Sequence, residues 1–124
     1  MWEGYVTLAA NLVEYEFESA SRSAISRAYY GAFNSARRWL EANDISIPDH
    51  RSHQEVWRTF RLAERAAPGT REKWQAVGEL GGQLRPLRNQ ADYVDAIPGL
   101  DRLAVRAVDA AERILALLDE LEFS

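Results

Sequence analysis

The chain has no cysteine, and that absence excludes disulfide bonds, thiolate zinc sites and cysteine nucleophiles. It contains only two histidines, His50 and His53, and one lysine among its 15 basic residues. Its apolar runs are short and are broken by charges, so no segment resembles a signal peptide or a membrane span. These absences predict a protein of the reducing cytoplasm that does not enter a membrane.

The charge of the chain is small and unevenly distributed. A formal net charge of −4 is not typical of a protein whose whole surface binds nucleic acid. Between Arg22 and Gln90, however, 12 basic residues stand against 7 acidic ones, whereas the two ends together hold 3 basic and 12 acidic residues. This basic middle permits a local phosphate-binding face, although ordinary solvated helix faces carry similar charges.

Apolar residues recur at helical spacing along most of the 124 residues, a length that fits one domain over 1–124. The spacing predicts helices over 3–17, 21–42 and 100–121. Between them, a third helix should begin at Ser52, with Glu55 completing a capping box, and should end before Pro68. Short connections between such helices favour an all-α fold, an antiparallel bundle of four to five helices.

The fourth helix is the least regular of the five. Thr70 is a plausible N-cap, and the apolar spacing continues to Ala91. Three glycines inside this segment each weaken a helix by roughly 1 kcal/mol, and Pro86 should bend or break it. In the second helix, by contrast, small residues around Gly31 should let another helix approach closely.

Motifs for several common chemistries are missing. Gly81 and Gly82 lie inside a helical pattern and lack the Lys-Ser/Thr of a phosphate-binding loop. His50 and His53 could meet on one helical turn, but no second pair of ligands accompanies them, and no Glu-x-x-His pair is present. The sequence therefore predicts no metal site and no cofactor.

Two segments place arginine, tyrosine and polar partners inside apolar helical stretches. The first runs from Arg22 to Phe33 and contains Ser-Arg-Ala-Tyr-Tyr; the second runs from Leu84 to Tyr93 and contains Arg-x-x-Ala-Asp-Tyr. Asp92 follows Arg88 by four positions, which is close enough on a helix for an ion pair.

These two segments, with His53 followed seven residues later by Phe60, resemble the HEPN superfamily, and most closely its small stand-alone UPF0332-like branch. The resemblance runs from the first predicted helix to Tyr93. It implies a helical bundle that forms a homodimer, and a metal-independent endoribonuclease site in the dimer cleft. It also implies a role in toxin–antitoxin or defence systems and a nucleotidyltransferase as a possible partner protein.

The resemblance assigns Arg88 to the family's motif arginine and Asn89 to the polar residue that follows it. The motif histidine is absent, because Asp92 and Tyr93 occupy its positions and no histidine follows His53. RNA cleavage needs a proton acceptor and donor near neutral pH, a task that suits histidine better than an ionised aspartate or a tyrosine. The candidate catalytic residues are Arg88, Asp92 and Tyr93, and the candidate binding residues are Arg27, Tyr30, His53 and Asn89.

Three interpretations stay open at this point. The chain is a HEPN-like component that acts on or binds RNA or nucleotide with a degenerate ribonuclease motif. Alternatively, it is a non-catalytic helical module that binds a nucleotide or a protein. In the third interpretation it is a structural dimer in which Arg88, Asp92 and Tyr93 form a buried lock with Arg27 and a tyrosine of the second helix.

Overall fold

A computed structural model describes residues 1–15 and 17–122 of the chain. Over these residues all regular structure is helical, which confirms the all-α prediction. The five helices are α1 (Glu3–Leu12), α2 (Glu18–Ala42), α3 (Ser52–Leu62), α4 (Arg71–Tyr93) and α5 (Leu100–Glu122). None of the described helices is both long and apolar enough to cross a membrane.

Helix α2 lies at the centre of the bundle and packs against each of the other four helices. Its buried stripe is continuous from Ala20 to Leu40, and α5 packs against it with a stripe from Ala104 to Leu121. A stripe that recurs every three or four residues keeps one helical face out of water over the whole length. Contacts of α2 with α1 and α4, and of α3 with α4, pair the start of one helix with the end of the other, so these neighbours are antiparallel.

Gly31 allows α1 to lie directly on α2. A Cβ atom at this position would come within 2.7 Å of Val6 Cγ2 and 3.0 Å of the Trp2 carbonyl oxygen. The predicted close approach is therefore confirmed. Helix α1 ends at Leu12 rather than at Phe17, which takes an extended conformation immediately before α2; Glu16 lies outside the described residues.

The glycines of α4 have the same physical explanation. A Cβ atom on Gly81 would lie 2.1 Å from Trp57 Cε3, and one on Gly78 would lie 2.5 Å from the backbone nitrogen of Arg61. The glycines thus cost helix propensity but let α3 pack against α4. Helix α4 also continues through Pro86, so the predicted break does not occur. Burial of Leu84 and Ala91 on the two sides of Pro86 offsets the lost hydrogen bond.

Of the two predicted N-caps, that of α4 is confirmed and that of α3 is wrong. Arg51, with a φ of 57°, precedes α3, and Ser52 already lies within the helix, so no capping box forms. Thr70 does occupy the N-cap position of α4, but its hydroxyl donates a hydrogen bond to the Ala67 carbonyl oxygen at 2.7 Å. At α3, therefore, the local sequence motif does not set the start of the helix.

Candidate phosphate-binding site

Helices α2 and α3 bring four aromatic rings together, which we call the Tyr29 cluster: Tyr29, Phe33, His53 and Trp57. The His53 ring stacks on Phe33 with centroids 3.9 Å apart and planes 3° from parallel. It is also nearly parallel to Tyr29, at 5.6 Å. The spacing of four residues on each helix, from Tyr29 to Phe33 and from His53 to Trp57, places each pair on one helical face.

A chain of hydrogen bonds runs through this cluster. The Trp57 indole Nε1–H donates to the Tyr29 hydroxyl oxygen at 3.2 Å, and that hydroxyl lies 2.6 Å from His53 Nδ1. Tyr29 is completely buried. Because Trp57 is only a donor, His53 Nδ1 is the acceptor that the Tyr29 proton needs.

This arrangement fixes the tautomer of His53. If Nδ1 accepts a hydrogen bond, the proton of the neutral ring lies on Nε2. Nε2 has no hydrogen bond among the described residues, and His53 is only partly buried. His53 therefore presents a hydrogen-bond donor, rather than an acceptor, to the outside of the cluster.

His53 is neutral at physiological pH. Partial burial, followed by the positive charges of Arg88, Arg85 and Arg37, lowers the pKa of His53 to about 4. Burial also raises the pKa of Tyr29 above its ordinary value. The hydrogen-bonded pair thus stays uncharged over the whole physiological range.

Arg88 of α4 lies beside the same cluster. Its guanidinium carbon is 5.2 Å from the Tyr29 ring centre and 5.4 Å from that of Tyr30, distances at which a cation is attracted to the face of an aromatic ring. Its side chain is only 12% exposed, and its Nε is buried without a hydrogen-bond partner. Asp92 Oδ2 lies 3.6 Å from Nη1, which is the ion pair expected from the sequence.

The structure therefore brings together four of the predicted site residues: Tyr30, His53, Arg88 and Asp92. Arg27 lies elsewhere, with its guanidinium 6.0 Å from the ring centre of Tyr5 on α1. Tyr93 is 77% exposed and so does not belong to a buried network. Asn89 is exposed and lines a groove between α3 and α4.

Sequence reasoning missed the residues that orient His53. Tyr29 was expected only as a possible partner of Arg88, and Trp57 and Arg85 were not candidate site residues. The available signal was that each of these residues lies three or four positions from a candidate: Trp57 from His53 on α3, and Arg85 from Arg88 on α4. What the sequence did not contain was the packing of α3 on α2, which makes Tyr29 and His53 neighbours.

The chemistry of this arrangement is anion binding. A guanidinium offers several charge-assisted donors, and the adjacent imidazole offers one more through Nε2. With its proton on Nε2, neutral His53 cannot accept a proton at that atom, so it is poorly suited to act as a general base there. Residues 1–15 and 17–122 contain no group of three or more side chains that could hold a metal ion.

No protein-family model matches the chain, and neither a curated protein nor a solved structure matches it.

Proposed function

We propose that the protein is a HEPN-like module that binds a phosphate group of RNA or of a nucleotide at Arg88 and His53, without efficient cleavage. The observation that carries this proposal is the pairing of a largely buried guanidinium, whose Nε has no partner among the described residues, with an imidazole whose free nitrogen carries a proton. Both groups donate hydrogen bonds, and phosphate oxygens accept them.

The same geometry favours binding over catalysis. A ribonuclease that works through attack by the 2′-hydroxyl needs a base to remove its proton. The Tyr29 hydrogen bond occupies the basic nitrogen of His53, and the carboxylate that the described structure places beside Arg88, Asp92, is engaged in the ion pair. We therefore assign Arg88 and His53 to binding, and Asp92 to positioning Arg88.

The proposal includes a homodimer in the cytoplasm, with a role in a toxin–antitoxin or defence system and a nucleotidyltransferase as a candidate partner. The resemblance of the sequence supports this part. Tyr93 and Val94 directly follow Asp92 and are 77% and 42% exposed, so they form a small apolar surface beside the Arg88–Asp92 pair. An apolar surface next to the site suits a second copy of the chain, and the site would then lie at the edge of the dimer cleft.

A structural role for Arg88 is the second candidate, because its side chain is 12% exposed and contacts two tyrosine rings. In that case Arg88 would hold α4 against α2 and would bind nothing. The substitution Arg88→Lys distinguishes the two functions, because phosphate binding and a purely structural role respond to it differently. Lysine keeps the charge but loses the planar fork that contacts phosphate through two hydrogen bonds.

The test is binding of a fluorescently labelled RNA octanucleotide, measured by anisotropy in EDTA, for the wild type, Arg88→Lys and Arg88→Ala. Arg113→Ala on the exposed side of α5 is the matched control. We expect Arg88→Lys to remain folded by circular dichroism and to weaken binding roughly tenfold, as loss of one charge-assisted contact would. Arg113→Ala should bind like the wild type.

Two results would overturn the proposal. One is a folded wild-type protein that does not bind the RNA. The other is a folded Arg88→Lys variant that binds as well as the wild type, which would leave Arg88 with a structural role. Gel analysis of the same mixtures reports on cleavage, and RNA that is cut by the wild type but not by Arg88→Lys would show that the site is catalytic.

A further inference from the structure

A groove of about 400 Å³ runs between α3 and α4 next to the Arg88 site. Its polar lining consists of Gln54, Arg61, Arg85 and Asn89, and no acidic side chain lines it. The charged side chains that line this groove are thus all basic, although the net charge of the chain is −4. We call this feature the α3–α4 groove.

The two arginines of the groove, Arg61 and Arg85, have no hydrogen-bonding or ion-pair partner among the described residues. The Nε atom of Arg85 is also buried. A buried polar nitrogen without a hydrogen bond is costly. An anion in the groove would remove that cost and would neutralise two neighbouring like charges.

The geometry places both guanidinium groups over α4. A Cβ atom on Gly82 would lie 3.3 Å from Arg61 Nη1, so the head group of Arg61 lies against the backbone at that position. Arg85 and Arg88 follow three and six residues later on the same helix. Six residues of α-helix span about 9 Å, so the three arginines are distributed along one stretch of α4.

We infer that the α3–α4 groove binds the backbone of a single-stranded RNA, so that successive phosphates contact Arg61, Arg85 and finally Arg88 with His53. This inference rests on the proposed function and extends it from one phosphate group to several successive phosphates along the groove. The side-chain amides of Gln54 and Asn89 both donate and accept hydrogen bonds, as the edges of unpaired bases require. We favour RNA over an acidic peptide because Arg85, which lines the groove, lies three residues before Arg88 on α4, so a strand in the groove would approach the proposed phosphate site.

The decisive experiment compares Arg61→Ala with Arg113→Ala in binding an RNA octanucleotide over a range of salt concentrations. Arg61 is exposed and has no ion pair to lose, so its replacement should leave the fold intact. We expect Arg61→Ala to weaken binding roughly tenfold at low salt. The slope of log K against log salt should fall by about 0.7, the value for one phosphate contact on a single strand.

The outcomes distinguish the inference about the α3–α4 groove from the proposed function of Arg88 and His53. If the wild type binds through Arg88 but Arg61→Ala behaves like Arg113→Ala, the groove inference is wrong and the proposed function stands. If the wild type binds no RNA, both are wrong. Competition with poly-glutamate is the third measurement: displacement of the RNA at equal charge concentration would show that the groove recognises any polyanion, which also overturns the inference.

Discussion

Helix α3 contributes to two aromatic clusters of opposite character. At its start, the Tyr29 cluster is joined by hydrogen bonds and lies beside three arginines, of which Arg88 is one. At its end, Trp39, Phe60 and Trp74 form what we call the Trp74 cluster, with ring centres 5.2–5.9 Å apart. In this second cluster the buried Trp39 Nε1 has no hydrogen-bond partner.

The comparison shows that aromatic residues at helical spacing do not by themselves define a site. Both clusters bury large rings against α2 and α4, and both contain a tryptophan. They differ because the Tyr29 cluster contains the hydroxyl of Tyr29 and the imidazole of His53. These groups form a hydrogen bond, and the imidazole lies near positively charged arginines. The Trp74 cluster should accordingly contribute stability alone, whereas changes in the Tyr29 cluster should alter both stability and binding.

The largest effect is expected for Phe60→Ala in the Trp74 cluster. Phe60 is completely buried between two tryptophans. Its truncation removes apolar contacts and leaves a cavity, so the free energy of unfolding should fall by about 3–5 kcal/mol. Urea denaturation measures this loss. RNA binding by the fraction that remains folded should be unchanged, and a selective loss of binding would show that the two clusters are not separate in function.

Gly81→Ala should have the next largest effect, because it drives a methyl group into the Tyr29 cluster. The new Cβ atom would lie 2.1–2.5 Å from three atoms of the Trp57 ring. We expect a loss near the upper end of about 1–3 kcal/mol, despite the gain in helix propensity. Gly82→Ala is the control, since its Cβ would meet only the mobile end of Arg61. That variant should unfold at the same or a slightly higher urea concentration.

Tyr29→Phe tests the hydrogen bonds of the cluster without changing its rings. It leaves Trp57 Nε1–H and His53 Nδ1 without their partner, which should cost about 1–3 kcal/mol. It also frees the His53 tautomer, so the ¹⁵N shifts of the imidazole should move towards a mixture of both forms. Tyr30→Phe is the adjacent control, because no described residue bonds to that hydroxyl. If both variants behave alike, the assigned tautomer is wrong.

The acid sensitivity of the protein should also originate in the Tyr29 cluster. His53 takes up a proton near pH 6.5 when the chain is unfolded but only near pH 4 when it is folded. Unfolding therefore binds a proton between these values, and stability falls as the pH drops from 6.5 towards 4. Because His53 is partly exposed, we expect a total loss of about 1–2 kcal/mol.

Two variants isolate this effect from the carboxylates that titrate in the same range. His53→Gln should flatten the dependence of the unfolding free energy on pH between 6.5 and 4. His50→Gln should leave it unchanged, since His50 is exposed and outside the cluster. An unchanged slope in His53→Gln would show that the acid sensitivity comes from other groups.

Periodicity predicted the fold well where one face of a helix determines burial. It located all five helices, and the small side chain of Gly31 predicted the contact with α1. It failed where contacts between distant segments determine the bounds of a helix. These places are the end of α1, the N-cap of α3 and Pro86, where burial on both sides keeps α4 continuous. These features depend on contacts between segments far apart in the chain.

The candidate site shows the same division. The four-residue spacing predicted the pair of Arg88 and Asp92, because both residues lie on one helix. No local pattern indicated that His53 would meet Tyr29, 24 residues earlier in the sequence. The two residues become neighbours only because the glycines of α4 let α3 lie deep in the bundle, and those glycines were interpreted as weaknesses of the helix.

The smallest effect on stability is expected for Tyr93→Ala, at the edge of the Arg88 site. Tyr93 is 77% exposed and makes no aromatic contact with a described residue, so its removal should change the unfolding free energy by less than about 0.5 kcal/mol. The same variant tests the proposed dimer, because an exposed ring at a self-association surface contributes to assembly, not to the fold. Sedimentation equilibrium should show weaker dimerisation for Tyr93→Ala than for Leu62→Ala, which removes an exposed apolar side chain at the end of α3. A large loss of stability in a monomeric Tyr93→Ala variant would instead favour the structural lock.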